Sequence, residues 1–303
     1  MSDVTLREAP LRFTSNLGEG DEARKADTLN LLPYAEALRD FIHDCDTPMT
    51  IGIQGDWGIG RTSLMNMLRG KCKGGQSVML DSGLCKAINL DSWPYSQIDQ
   101  DDNMVVACLY ALTQELGRAL STESLIDVTK LKTQLEAANH KLVIVMEQIR
   151  ELVQGQSAGS IDGKSYIDIS GQMLQFRSDF AELVSLWAES GEDRRVVIFV
   201  DDLDRIRPAM ALELLEAIKN FIDVEGCVFV MALDYEVVQR GMIDKLGLDL
   251  QKTSGKAFID KMIQLPFIVP TTSYKLDEYI IDLLYKAGLP CIRNGECDPE
   301  SRE

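Results

Sequence analysis

The sequence is poor in the residues that bind zinc or build disulfide frameworks. Histidine occurs only twice, at His43 and His140, and none of the seven cysteines belongs to a C-x-x-C pair. Structural zinc sites need four suitably spaced cysteine and histidine ligands, so we do not expect a zinc-binding domain. An odd number of scattered cysteines also argues against a secreted, disulfide-bonded protein. We therefore expect reduced thiols and a cytoplasmic protein.

Long apolar runs are missing as well. No stretch reaches the roughly 18 uninterrupted apolar residues that a membrane span requires. The N-terminal residues MSDVTLREAPLRF contain no apolar core of a secretory signal. The sequence therefore predicts a soluble protein with no membrane span.

Positive charge is scarce relative to negative charge. The chain has 31 lysines and arginines against 48 aspartates and glutamates, which gives a net charge of −17. Neutralising the phosphates of a nucleic acid takes clustered basic side chains. We therefore expect no general nucleic-acid surface. A local basic patch is still compatible with this composition. Solubility is a sufficient reason for the acidity.

The rest of the composition is that of an ordinary globular protein. Of the 303 residues, 45% are hydrophobic and 26% charged. This length is sufficient for one large domain or two smaller ones, each with a hydrophobic core. The apolar patterning predicts strands at 49–54, 77–80, 86–90, 196–200, 226–233 and 263–269, and helices at 27–43 (with Asp27 as N-cap), 62–71, 103–120, 122–153, 172–189, 209–222, 235–246 and 274–287. This alternation indicates a doubly wound, mainly parallel α/β sheet.

The same patterning suggests how the chain is divided. We expect an N-terminal arm at 1–26, the two parts of one core at 27–96 and 191–270, a helical insertion at 97–190, and a C-terminal helix with a polar tail at 271–303. Within the insertion, residues 155–171 are rich in glycine and serine and are predicted to form a flexible connector.

The first motif with clear chemistry follows strand 49–54. Residues 55–62 read GDWGIGRT and fit the phosphate-binding pattern G-x-x-x-x-G-K-[ST] except for an arginine in place of the lysine. Glycines let backbone N–H groups converge on phosphate oxygens, and the helix that follows adds its positive N-terminal end. We expect the phosphates to be bound by Gly55, Trp57, Gly58, Ile59, Gly60, Arg61, Thr62 and Ser63. Thr62 would also place its hydroxyl on Mg²⁺.

Arg61 is the departure from the pattern. Lysine is a compact point charge, whereas arginine is a larger planar fork that can bind phosphate through two nitrogens. Affinity can therefore survive, while the geometry needed for catalysis is less certain. We expect Arg61 to be a catalytic residue together with Asp202. The alternatives are that Arg61 is merely a tolerated basic substitute for the lysine or that it is an engineered change.

The second motif is an acidic pair at the end of a buried strand. Five apolar residues, 196–200, lead into Asp201 and Asp202. We expect this strand beside the phosphate-loop strand, with Asp201 on the side of the Mg²⁺ ion and Asp202 as the general base for the attacking water. Alternatively, the two aspartates merely cap the turn.

Two neighbouring residues carry weaker signals. Arg205 could pair with Asp204 or a nearby carboxylate, or reach a phosphate of a neighbouring molecule. Asp234 ends the predicted strand 226–233 and could approach the γ-phosphate, although an aspartate at the end of a strand is common.

These motifs together resemble the KAP family of P-loop NTPases. The resemblance is carried by LLPYAEALRDFI (31–42), IGIQGDWGIGRTSLMNML (51–68), NLDSWPYS (89–96), VVIFVDDLDRIRPAMALELLEAIKNF (196–221), FVMALDYEVV (229–238) and KMIQLPFIVP (261–270). The family's phosphate loop, called Walker A, reads like G-x-W-G-x-G-K-T-S, and its Walker B motif reads like DDLDR. The match covers roughly residues 27–270.

The resemblance implies an additional-strand P-loop ATPase that uses ATP and Mg²⁺. The family's Walker A loop falls on Gly55, Gly58, Gly60, Thr62 and Ser63, and its Walker B pair on Asp201 and Asp202. Arg61 stands where the family has lysine, which affects the expectation of hydrolysis rather than that of the fold. Many members carry membrane helices between the two motifs. The amphipathic insertion 97–190 does not support that trait here.

Prokaryotic members of the family look like components of phage-exclusion or plasmid-encoded defence systems, some in multi-gene operons such as Qat. By this association the chain would be a soluble bacterial member, and the ATPase of a Qat-like antiphage system. Its partners would be protein subunits from the same operon or further copies of itself.

Two functions follow from the sequence. The first is a Mg²⁺-dependent ATPase that couples its nucleotide state to a conformational change or to partner assembly. The second is a nucleotide-binding regulatory module with little or no hydrolysis, because Arg61 replaces the lysine. A scaffold that has lost nucleotide binding is a third, weaker hypothesis.

Overall fold

A computed structural model describes residues 30–56, 58–70, 84–92, 94, 101–121, 129–154, 163–189, 191, 194–246, 259–270, 292–293 and 296–297. The predicted arm at 1–26, the Asp27 cap, the strand at 77–80 and the helix at 274–287 lie outside these residues.

Five described strands form one sheet in which all pairs are parallel. They are β1 Met49–Gln54, β2 Cys85–Asp91, β3 Arg195–Asp201, β4 Cys227–Leu233 and β5 Leu265–Ile268. β3 and β4 are apolar along nearly their whole length and are buried on both faces, as interior strands of a parallel sheet must be. The predicted α/β fold with a parallel sheet is confirmed.

The order of the strands corrects one expectation. The sheet runs β2-β3-β4-β1-β5, so β4 lies between β1 and β3, and the acidic strand β3 is not next to the strand of the glycine loop. β4 is the additional strand that the family resemblance implies. Because the strands are parallel, the carboxyl ends of β1, β3 and β4 nevertheless meet at one edge, where α/β sheets bind ligands.

Seven helices are described: α1 Leu32–Asp44, α2 Arg61–Leu68, α3 Asp101–Ser121, α4 Thr129–Gln154, α5 Gly163–Ala188, α6 Pro208–Ala217 and α7 Tyr235–Leu246. A π-helical turn, Ile218–Ile222, continues α6. α1 begins five residues later than the predicted start at 27. Pro33 lies in its first turn, where a missing N–H costs nothing.

The predicted connector at 155–171 is wrong in its second half. Residues 163–171 belong to α5, because the apolar spacing of the chain continues upstream from Phe176 through Met173, Ile169 and Tyr166 and outweighs the local glycines and serines. α4 packs against both α3 and α5. None of the helices in the described part of the chain combines the length and the apolar character that a membrane crossing needs.

The core forms one layer on each face of the sheet. Ile198 and Phe229 lie in a large cluster together with α3 to α7, whereas Phe199 and Val230 lie in a smaller cluster with α1 and α2. This division follows from the alternation of side chains along a strand. Helices therefore cover both faces, as a doubly wound sheet requires. Within the predicted polar tail, β6 Ile292–Arg293 and β7 Glu296–Cys297 form a short antiparallel pair.

Candidate functional site

A glycine-rich loop joins the carboxyl end of β1 to the first residue of α2. Gly58 has φ 84° and Gly60 has φ 97°, both in the left-handed region that side chains disfavour. Gly60 is also the residue immediately before α2. The two glycines thus let the chain turn sharply into the helix, whose N-terminal N–H groups face the loop and suit an anion.

Gly55 is needed for a different reason, the close approach of Ile59. A Cβ built on Gly55 would lie 2.6 Å from Cγ2 of Ile59, a distance that atoms cannot adopt. The loop is further closed by the N–H of Ile59, which donates to the carbonyl of Asp56 at 3.2 Å. Ile59 packs its side chain toward the cluster under α1 and α2, so its backbone is the part that can face a phosphate. The predicted phosphate contact of Trp57 lies outside the described residues.

Arg61 is the first residue of α2 and is almost fully buried, with 7% of its surface exposed. Its Nη2 donates to Oδ2 of Asp204, an ion pair between side chains that are 8% and 15% exposed. Its Nη1 has no hydrogen-bond partner among the residues that the structure describes. Leaving a buried polar donor unpaired costs roughly 1–3 kcal/mol. The guanidinium therefore has one satisfied end and one end that lacks an acceptor.

Thr62 lies on α2 and Asp201 ends the acidic strand. The Thr62 side chain acts to lower the pKa of the Asp201 carboxyl group, and Oδ1 of that carboxylate accepts the N–H of Asp202 at 2.9 Å. Ser92 donates to the Asp201 carbonyl at 2.9 Å and fixes the end of the strand. Burial raises the pKa of Asp201, while the Asp202 N–H, Arg69, Thr62 and Arg61 oppose this. Ser63 lies beside Thr62 in the first turn of α2 and is half-buried.

Asp202 has an unusual backbone and a perturbed carboxyl group. Its φ is 60°, left-handed for a residue with a side chain. Its Oδ1 pairs with Nε of Arg205 at 2.8 Å. Burial, followed by the charges of Asp201, Asp91 and Asp204, raises its pKa to about 6. A carboxylate with a pKa near neutrality is suited to accept a proton.

Two residues of this site were missed by the sequence analysis. Asp91, at the end of β2, stands opposite Asp201 in the register of the sheet. The guanidinium carbon of Arg69 lies 4.8 Å from the ring centroid of Phe199. Burial lowers the pKa of Arg69, and the charges of Asp201, Asp91 and Asp202 act against that. A signal existed for Arg69, which follows Thr62 by two helical turns and so shares its face of α2.

The structure gives contacts for the two residues with weaker signals. Arg205 pairs with Asp202, a neighbouring carboxylate, while Arg61 pairs with Asp204. Asp234 follows β4 at the same edge of the sheet. Its Oδ1 accepts the N–H of Glu236 at 2.8 Å, so this carboxylate caps α7.

The chain is similar to a known protein family and to a protein of Escherichia coli. The model of the KAP family P-loop domain matches residues 32–285. The phage T7 exclusion protein of Escherichia coli (strain K12) is 21% identical over 238 residues, which cover 73% of this chain. The matched part is 30% of that protein, so the chain corresponds to less than a third of this relative.

Proposed function

Because the chain belongs to the KAP family of P-loop domains, we propose that it binds ATP with Mg²⁺ and hydrolyses it to drive a conformational change or partner assembly. The observation that carries the proposal is the ion pair between Arg61 and Asp204. It joins the helix that follows the glycine loop to the turn after the acidic strand, although another strand lies between β1 and β3. The two halves of a nucleotide site are thereby brought into contact.

The loop supplies what a triphosphate needs. Gly58 and Gly60 present the backbone without a side chain in the way. The positive end of α2 and the Nη1 of Arg61, which has no hydrogen-bond partner in the described part of the chain, add charge-assisted donors. An oxygen of the phosphate would give that buried nitrogen its missing acceptor. Because a guanidinium can bind phosphate, the replacement of lysine is compatible with tight binding.

The residues also fit a magnesium ion. Mg²⁺ prefers hard oxygen ligands and is commonly held by one or two carboxylates or hydroxyls together with phosphate and water. The Thr62 hydroxyl, which acts to lower the pKa of Asp201, and the Asp201 carboxylate would provide the protein's share.

Asp202 is the residue we assign as general base. With a pKa of about 6, Asp202 is mostly ionised at neutral pH and is more basic than an ordinary carboxylate. It is therefore suited to take a proton from the water that attacks the γ-phosphate. Arg61 would stabilise the negative charge on the transferred group. When bound, Mg²⁺ would shield the charge of the phosphates.

Phosphate release from ATP by the purified chain tests the proposal, with Asp202→Asn as the critical variant. We expect Mg²⁺-dependent turnover that falls by at least about 100-fold in Asp202→Asn, the usual size of a general-base contribution. Asp40→Asn, at an exposed ion pair on α1, is the matched control and should keep wild-type activity. Equal turnover in Asp202→Asn and wild type would remove Asp202 from the mechanism, and no turnover under any condition would remove the ATPase.

A second candidate function is favoured by the Arg61–Asp204 pair. A guanidinium tied to Asp204 is less free to follow the phosphate through the reaction, which fits a module that binds ATP and hydrolyses it little. Arg61→Lys separates the two functions. A gain in turnover of about tenfold or more would support the binding module, while an unchanged or lower rate would support the ATPase.

A role in defence against phage is the biological setting we propose. The support is the similarity to the phage T7 exclusion protein, by name a protein that acts on phage growth. We propose partners among proteins of the same operon, or further copies of the chain, whose association depends on nucleotide. Plating phage on cells with and without the gene, and with Asp202→Asn, tests the role. Equal plaque numbers in all three would argue against it.

A further inference from the structure

Arg61 and Asp204 form a pair that the phosphate-loop pattern does not anticipate. The arginine lies on α2 and the aspartate on the 3-10 turn Leu203–Arg205 that follows β3. Both side chains are largely buried, at 8% and 15% exposure. A buried charge is stable only when it is paired, so an arginine at this position requires an acid close by.

The turn that carries Asp204 is firmly held. Leu203 is buried in the large core cluster with 2% exposure. The N–H of Arg205 donates to the carbonyl of Asp202 at 3.1 Å, and the Asp202–Arg205 ion pair spans the turn on its outer side. The backbone of Asp204 is thus held in place, so its carboxylate can hold the guanidinium of Arg61 in a defined position.

The free end of the guanidinium has a direction set by this anchor. A guanidinium is planar, and its two terminal nitrogens are held rigidly relative to each other. With Nη2 on Asp204, Nη1 is restricted to positions around this contact, and it is buried with no hydrogen-bond partner among the described residues. The residue that carries this nitrogen is also the first residue of α2, so the helix end and the unpartnered nitrogen are two independent donors in the segment that follows the glycine loop.

We infer that Asp204 positions Arg61 for nucleotide binding, by holding one nitrogen of the guanidinium so that the other meets an outer phosphate. The inference rests on the proposed function and deepens it. The guanidinium of Arg61 donates at both terminal nitrogens: Nη2 to Asp204 and Nη1 to the ligand. Lysine has one compact charged head on a flexible stem and reaches a phosphate without a second anchor. Asp204 is a positioning residue and not a ligand of the nucleotide.

A double-mutant cycle in Mg–ATP binding tests this inference. The four proteins are wild type, Asp204→Asn, Arg61→Lys and the double variant, and isothermal titration calorimetry gives each Kd. When Arg61 is present, Asp204→Asn should raise the Kd about tenfold, the size expected from losing a well-placed charge-assisted hydrogen bond. In the protein that already carries Arg61→Lys, the same change should alter the Kd less than about threefold.

The controls separate positioning from loss of structure. Asp40→Asn removes the same charge from an exposed pair with Arg39, 2.7 Å long on α1, and should leave the Kd unchanged. Thermal melts without nucleotide identify the temperature at which all variants are folded, and binding is measured below it. A general structural effect would raise the Kd equally with and without Arg61→Lys, which positioning does not.

Three results would overturn the inference. One is an equal effect of Asp204→Asn with and without Arg61→Lys. Another is an unchanged Kd for Asp204→Asn when Arg61 is present. The third is tighter binding by Asp204→Asn, since the pair would then be a latch that competes with the phosphate. If the wild type binds no ATP at all, the proposed function fails with it. If the wild type binds ATP and any of the three results is found, only the role of Asp204 is lost.

Discussion

The perturbed carboxyl of Asp202 leads to a prediction that needs neither nucleotide nor metal. Its pKa is raised from 3.8 to about 6 in the folded protein, mainly by burial and then by the charges of Asp201, Asp91 and Asp204. The folded state thus binds this proton more tightly than the unfolded state does. Between about pH 4 and pH 6 the stability contributed by this group therefore falls as the pH rises.

The size of the effect follows from the same values. Moving a pKa from 3.8 to about 6 corresponds to about 3 kcal/mol in free energy of unfolding. The Asp202 side chain is 22% exposed, and solvent screening at such a site reduces the effect to about 1 kcal/mol. Asp202→Asn, which is uncharged at every pH, should be more stable than wild type by this amount at pH 7 and equal to it near pH 4.

Urea unfolding of both proteins across pH 4 to 8, without Mg²⁺ or ATP, measures this difference. Comparing the two proteins at each pH largely cancels the titration of other groups, and Asp40→Asn is again the control. A variant less stable than wild type at pH 7 would refute the reasoning, because the Arg205 ion pair would then outweigh burial. So would a difference that does not change with pH. In the ATPase assay, the same pKa predicts that turnover falls below about pH 6.

Three further predictions concern neighbouring residues. Gly60→Ala should destabilise the protein by about 1–2 kcal/mol, because φ 97° is costly for a residue with Cβ; urea unfolding measures it, and a loss below about 0.5 kcal/mol would contradict the strained turn. Thr62→Val removes the hydroxyl that acts on the pKa of Asp201 and should raise the Mg²⁺ concentration needed for half-maximal turnover at least about tenfold; an unchanged requirement would exclude Thr62 as a ligand. Arg69→Met removes the buried cation near Asp201 and Asp202 and should lower the melting temperature at pH 8 more than at pH 5, since the raised pKa values of these two carboxyls let them take up protons at low pH; an equal loss at both pH values would assign Arg69 to packing alone.

The fold was predictable because its signals are local and strong. The apolar runs of β3 and β4 can only be interior strands, and the glycine pattern before α2 has one common structural meaning. The KAP resemblance inferred from these motifs is confirmed by the match over residues 32–285. The insertion of β4 between β1 and β3 was not predicted from the motifs, which led us to expect β3 beside β1, because strand order depends on contacts far apart in the sequence.

The details of the site were less predictable, since they depend on where long side chains turn. The residues of DDLDR are adjacent in sequence, yet Asp202 pairs with Arg205 and Asp204 with Arg61. Because the backbone of Asp202 is left-handed, the consecutive carboxylates point in different directions. No rule about the spacing of residues in the sequence predicts this. The position of Asp91 opposite Asp201 follows only from the register of β2 with β3, which the sequence does not show. The predicted ligand and catalytic roles of the phosphate-loop residues, of Asp201 and of Asp202 remain predictions.

The energetic character of the site argues against a scaffold that has lost its nucleotide. Asp202 holds a left-handed backbone and a carboxyl whose ionisation is opposed by its surroundings, and Arg61 keeps one buried nitrogen without an acceptor. Each of these features lowers the stability of the empty protein. A scaffold gains nothing from such costs, whereas a phosphate ligand would give the buried nitrogen of Arg61 its missing acceptor. The same reasoning applies to the replacement of lysine: Arg61 is accompanied by a fixed acid, Asp204, so we infer an adapted phosphate loop rather than a decayed one.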